Sequence, residues 1–565
     1  MTIIKSFWDH GIKVGLIGAV TALLLSLIGM VEAFSQRDII AGIISMGHTL
    51  LVVVVIFMGY ISAKQTSASR SGWPLVNSMI SGLIIAGSLV LLLFLGRWIN
   101  LRSIFINASP TLYNLLTFDF GIENGWIFLL ISGACCGILA GVLHYTYSPV
   151  RRVLIVSFSG VTITGVLQDL IRPTLSAWGP LAAVSDRIFL GNGLSISGAL
   201  ALGLMIAFIL IFWGKKGDSF KHHYRNLPAG RQKTVRIAAF VFLIAILLTL
   251  PQILGLFLSE VLTIVGLYIL LGLGLNIVVG YAGLLDLGYV AFFAIGAYVT
   301  AILTSPELGF FSFTFWQALP FAIILGLLSG IVLGIPVLKM RGDYLAIATL
   351  GFGEIIRILV LSDFLRPWLG GAQGIGKIPK AAIAGYEFAT PQQIYYLILA
   401  GCALVVFISL RLRDSRLGRA WKAMREDEDV AQAMGINLVY TKLLAFATGA
   451  GFSALSGAIF SSKLSSVYPH SFNVMISINI LCLIIVGGMG NIPGVIVGAA
   501  ALVGLPELLR EFAEYRLLVY GAALVAMMLL RPEGLWPEAL HRRELHDDQS
   551  SAADVETSSE SHAGV

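Results

Sequence analysis

The chain has 565 residues, 57% of them hydrophobic and 12% charged, with 61 glycines and a mean hydropathy of +0.89. So little polar surface cannot cover that much apolar side chain, which excludes an ordinary soluble protein. The apolar runs, about 17 to 24 residues each, have the length of a spanning helix and not of a barrel strand. The formal charge of +6 does not require nucleic acid, because Lys and Arg collect on the cytoplasmic side of any such protein.

We expect an all-α, polytopic integral membrane protein with about 16 apolar segments and no nucleic-acid partner. The first run covers residues 14–31 behind Lys5 and Lys13. It ends in Glu32-Ala33-Phe34-Ser35 without an Ala-x-Ala-like cleavage site, so it reads as a retained span. Of the roughly six apolar segments before Gly214, the one at 153–171 is interrupted by Asp169. Cys135, Cys136, Cys402 and Cys482 all sit in apolar runs without CxxC spacing and read as small core residues. Residues 214–236 are polar, carry Pro228 and Gly230, and mark a domain boundary. His222 and His223 there are adjacent and cannot face one ligand from one side of a helix, so no metal site is expected.

Further on, Asp286 precedes a helix rich in small residues, which it either caps or joins in lining a route. Glu354 and Arg357, three apart, share a helical face; they either neutralise each other or line a solute path. The stretch 371–377 fits GxxxxGK, but Ile378 stands where Ser or Thr should hold magnesium, and Gly488, Gly490 and Gly494 have the wrong spacing for a dinucleotide fingerprint. No HExxH or GxSxG cluster occurs, so we expect neither an enzyme nor a bound cofactor. Rows of small residues, Gly449/Ser453/Gly457 and Gly490/Gly494/Gly498, suit closely packed helices. The short runs 474–486 and 492–505 are either a broken, re-entrant element or two tilted spans.

Residues 411–442 hold 12 of the 68 Asp, Glu, Lys and Arg side chains. With the N-terminus inside, the inner loops carry 25 of the 37 Lys and Arg, which places 214–236 and 411–442 in the cytoplasm. A helix over 416–434 carries Leu417, Trp421 and Met424 on one face, and an apolar stripe with a charged rim suits a groove on a soluble partner, or lipid headgroups. Gly435 then lets the backbone turn back. The tail 544–565, rich in Ser and acidic residues, is expected to be disordered.

Several motifs occur in one order: Gly280-Tyr281-Ala282-Gly283-Leu284-Leu285-Asp286-Leu287-Gly288, Lys339-Met340-Arg341-Gly342-Asp343-Tyr344, Gly353-Glu354-Ile355-Ile356-Arg357, Leu417-Gly418-Arg419-Ala420-Trp421, Val486-Gly487-Gly488-Met489-Gly490 and Arg531-Pro532-Glu533-Gly534-Leu535. Over residues 235–536 they resemble the LivM-type permease subunit of branched-chain amino acid ABC importers. The resemblance implies a permease domain at 235–543, behind a linker at 214–234 and a membrane extension at 1–213 that it does not cover. Asp429-Val430-Ala431 followed by Gly435 resembles the EAA-xxx-G signature, with Asp for Glu.

The implied ATPase-coupling residues are Arg416, Leu417, Gly418, Arg419, Trp421, Met424, Arg425, Glu426, Asp427, Asp429, Ala431 and Gly435. Asp286, Tyr344, Glu354 and Arg357 are candidates for the translocation path or for a structural pair. The implied partners are separate ABC ATPase subunits that use the ATP, a second permease subunit of H type, an extracytoplasmic solute-binding protein and the lipid bilayer. The implied location is the plasma membrane of a prokaryote, with both termini cytoplasmic. An ion-coupled secondary transporter, or an ABC permease for urea or short amides, is the alternative reading.

Overall fold

A computed structural model describes residues 2–66, 72–176, 179–225, 228–510, 515–531 and 534–536; the tail at 544–565 lies outside the described residues. Amides that leave water must bond within their own segment, and the chain meets this with helices. Among the described residues, twelve helices are long and apolar enough to cross a bilayer. One of them, Gly230–Tyr281, runs 52 residues, and it breaks at Gly255 (φ 75°) beyond Pro251. Shorter apolar helices are Val290–Thr304, Ile492–Leu508 and Tyr520–Leu529.

The chain divides into two compact units, Met1–Phe242 and Leu243–Val565. In the polar stretch after residue 214 the described backbone is helical, Ile196–Arg225 and Ala229–Leu275 lying on either side of residues 226–227.

The first unit holds six of the apolar helices, from His10–Leu27 to Ile196–Gly214. Two short hairpins, Asp38–Ile40 with Ile44–Ser45 and Phe189–Leu190 with Gly193–Leu194, join into one small sheet through a parallel pairing of Ile40 with Leu194. Ile85, Leu93, Leu112 and Leu116 form the centre of its core. The weak segment at 153–171 ends as a helix at Val166. Asp169 starts a separate short helix and pairs with Arg37 at 2.5 Å, which removes its charge from the span.

In the second unit, Leu438–Leu464 is the central helix, packed against Phe315–Val337 and Val290–Thr304. Small residues allow this. A Cβ on Gly449 would lie 2.6 Å from Val278 Cγ2, and one on Gly457 would lie 2.8 Å from Ala297 N. The second small-residue row is only partly helical. Gly494 and Gly498 pack the Ile492–Ala499 helix against Val474–Gly487, whereas Gly490 (φ 80°) sits in the turn between them and donates its N–H to Asn276 Oδ1 at 2.9 Å.

A Gly457→Leu change should therefore destabilise the fold by about 1–3 kcal/mol or more through overpacking. Gly351→Ala, where a Cβ meets nothing within 4 Å, should be silent. Thermal unfolding of the detergent-purified variants measures both.

Candidate coupling segment and solute path

Residues 411–442 fold as two short helices. Ser415 caps Arg416–Glu426 by accepting the Gly418 amide at 3.2 Å. Asp427 then leaves helical geometry (φ −155°, ψ 116°) and caps Glu428–Ala433, accepting the amides of Asp429 and Val430 at 2.8 and 3.0 Å. The single helix expected over 416–434 is broken there because an Asp side chain satisfies free amides at a helix start, which it cannot do mid-helix. Gly435 follows at φ 87°, a conformation that strains any β-branched residue, and turns the chain back.

The apolar stripe faces the protein's own core. Trp421 is 0% exposed and Met424 1%. Trp421 donates its indole N–H to Thr441 O at 2.9 Å, and Leu417 packs beside them at the edge of that core. Gly418 lies so close to the preceding helix end that a Cβ would sit 2.6 Å from Arg413 O. The docking face expected from Leu417, Trp421 and Met424 is thereby corrected: an amphipathic helix buries its apolar face against the nearest apolar surface, here the start of Leu438–Leu464. Ala431 is buried as well. The exposed side of the segment carries Arg416, Arg419, Glu426, Val430, Met434 and Tyr440, with Met434 80% exposed.

Charges clamp this segment to the long helices. Glu428 stands between Arg341 Nε at 3.0 Å and Lys442 Nζ at 2.9 Å, and Arg341 Nη2 reaches Asp429 Oδ1 at 2.7 Å. Lys442, in the first turns of Leu438–Leu464, has a side chain only 4% exposed, and Arg341 lies two residues before the helix Asp343–Leu361. The Arg341 hydrogen bond, and then its charge, hold the Asp429 carboxyl below the ordinary carboxylate range. Arg425 Nη1 donates to Gly280 O at 2.6 Å and packs on Gly283 (φ 70°).

From Gly280 the chain enters the apolar interior without regular structure. A π-turn, Asn276–Tyr281, leads into residues 282–289, which are neither helix nor strand, before Val290–Thr304 begins. Asp286 is fully buried there; its Oδ1 accepts the Gly288 amide at 2.9 Å, and its Oδ2 has no partner among the described residues. It does not cap the following helix, whose first amide, Val290 N, goes to Ser477 Oγ at 2.9 Å. Thr349 Oγ1 accepts the Leu287 amide at 3.0 Å, and Tyr289 donates to Gly449 O at 2.9 Å.

Glu354 and Arg357 pair, Nε to Oε2 at 2.8 Å, with both side chains between a third and two-fifths exposed. Tyr344, 77% exposed, stands apart from them in the first turn of the same helix.

The family described as "Branched-chain amino acid transport system / permease component" matches residues 257–528. The high-affinity branched-chain amino acid transport system permease protein LivM of Salmonella typhimurium is 38% identical over 348 residues, covering 57% of this chain and 80% of that protein. LivM of Escherichia coli is 39% identical over 335 residues, 55% of this chain and 77% of its own length. The Salmonella typhimurium permease protein LivH is 24% identical over 290 residues, 47% of this chain and 90% of its length. No solved structure matches.

The chain belongs to this permease family. Its matched part includes the clamp, the unwound stretch and the Glu354–Arg357 pair, and the first unit lies outside it. Glu428 and Lys442, the centre of the clamp, escape a reading of the sequence alone. Glu428 is one charge in a run of charged residues, and nothing local marks Lys442 as buried.

Lys442→Met should destabilise the protein by about 1.5–3 kcal/mol, the scale of a lost charge-assisted hydrogen bond, since Glu428 keeps Arg341, and Arg341→Met by clearly less, because Arg341 is mostly exposed. Thermal unfolding of both at pH 7 gives the order. The Arg341–Asp429 contribution should be fully present from neutral pH down to about 4, decline below that as the unfolded chain takes up its proton, and be gone once pH has fallen through the lowered Asp429 value.

Proposed function

We propose that this protein is the LivM-type permease subunit of an ABC importer for branched-chain or other small neutral amino acids, in a prokaryotic plasma membrane with both termini cytoplasmic. The observation that carries the reading is the likeness to LivM over most of that protein's length, joined to a charged segment clamped onto the helices of the candidate path. Separate ATPase subunits use the ATP and dock on residues 411–442 from the cytoplasm, and the chain itself holds no nucleotide site. A second permease subunit of H type completes the pore, and an extracytoplasmic solute-binding protein delivers the solute. The positive-inside charge count supports this orientation.

Docking falls to the exposed side of the segment, with Val430 and Met434 as the apolar contacts inside a rim that includes Arg416, Arg419 and Glu426. Closure of the ATPase subunits moves Glu428–Ala433, and the clamp passes that movement through Arg341 and Lys442 to Asp343–Leu361 and Leu438–Leu464. An ion-coupled secondary transporter would need no such segment.

The test is uptake of labelled leucine, valine and urea into proteoliposomes holding the chain with its partner subunits and binding protein. Leucine and valine should enter only with internal ATP, and urea should not. Met434→Asp should fold normally, and should cut both capture of the ATPase subunits and uptake by about tenfold, the effect of one interface hot-spot contact. Uptake that persists without ATPase subunits would refute the proposal.

A further inference from the structure

A small cavity lies where Val290–Thr304 meets Asp343–Leu361, walled by Ala291, Ala294, Tyr298, Ile356, Arg357 and Phe472 among others. It measures about 10 Å³, room for about one water. Its two polar groups are unusual. The Tyr298 hydroxyl is buried and has no hydrogen-bond partner among the described residues, although a buried hydroxyl normally finds one. Arg357 spends only Nε on Glu354 among the described hydrogen bonds, which leaves the Nη edge of its guanidinium uncommitted.

The pair also differs from two ion pairs that join separate helices of this unit. Lys463–Glu260 at 2.6 Å and Lys442–Glu428 at 2.9 Å each tie two separate elements together. Glu354 and Arg357 sit on one helix and join nothing. A structural role between helices does not account for them, whereas Arg357 lines the cavity and holds Glu354 beside it, which offers polar groups to whatever enters.

We infer that Arg357, Glu354 and Tyr298 form a recognition point for the backbone of an amino acid in transit, closed in this conformation. This rests on the importer reading above. The planar Nη edge of Arg357 matches a carboxylate in two parallel hydrogen bonds, and the second oxygen of Glu354 accepts from an ammonium group. The Tyr298 hydroxyl supplies a further bond to the carboxylate. Ala291, Ala294, Ile356 and Phe472 offer an apolar wall to a branched side chain. Opening requires the Asp343–Leu361 helix to part from Val290–Thr304. Gly353 and Gly288, whose packing places a Gly353 Cβ 3.2 Å from Gly288 Cα, provide a smooth contact for that movement, and Arg341 in the clamp begins it.

The experiment is leucine uptake per ATP hydrolysed by the full importer in proteoliposomes, for the wild type, Tyr298→Phe, Arg357→Lys and the neutral pair Glu354→Gln/Arg357→Gln. Tyr298→Phe keeps the apolar packing, and the double change keeps the pair uncharged, so neither is expected to fail through folding. The ratio should fall about tenfold in Arg357→Lys and in the double variant, the scale of a charge-assisted hydrogen bond, and by less in Tyr298→Phe. Wild-type ratios in Tyr298→Phe and in the double variant would overturn the inference and leave the importer reading standing. Absence of ATP-dependent leucine uptake in the wild-type assembly would overturn both.

Discussion

The permease unit depends on keeping residues 282–289 unwound within an apolar core. Peptide groups removed from water cost several kcal/mol each when unpaired, so an irregular stretch survives there only if side chains from other helices satisfy it. Within the stretch Asp286 takes the Gly288 amide; from outside it, Thr349 takes the amide of Leu287, Ser477 that of Val290 at the start of the next helix, and Gly449 O receives the Tyr289 hydroxyl. The outside partners come from three different helices. Their positions are therefore fixed by the same bonds that hold the stretch open, and any shift of one helix is felt by the others.

That constraint explains why the glycines cluster as they do. Gly288, Gly353, Gly449 and Gly457 all lie where a Cβ would press on a neighbouring backbone or side chain, so the helices around the unwound stretch approach it closely. The charged clamp adds a lever at one end. Arg341 leads directly into the helix that carries Thr349, Glu354 and Arg357, so the clamp, the unwound stretch and the cavity wall share one helix.

The helical class and the apolar runs were legible from the sequence because hydrocarbon tolerates few backbone solutions, and a run of apolar residues announces its own helix. The Glu354–Arg357 contact was legible for the same reason, since a three-residue spacing on a helix fixes proximity. Over 416–434 the structure departs from the sequence pattern at Asp427, where the helix breaks, and in the direction its apolar face turns. Periodicity identifies an apolar face but not what covers it, and Trp421 is covered by residues near Thr441, twenty positions away. Tyr298 and Lys442 were invisible, because their meaning comes from partners, or the lack of them, that only the folded chain supplies.

The energetics of the Glu354–Arg357 pair point away from stability as its purpose. A pair three apart on one helix contributes about 0.2–0.5 kcal/mol, whereas a charged residue at the centre of a spanning helix costs about 2.5–3.5 kcal/mol on insertion scales. The two are partly exposed and neutralise each other, which lowers that cost without reversing its sign. An apolar pair at the same positions would hold the helix at least as well. The recognition of a polar solute proposed above accounts for charges that stability does not.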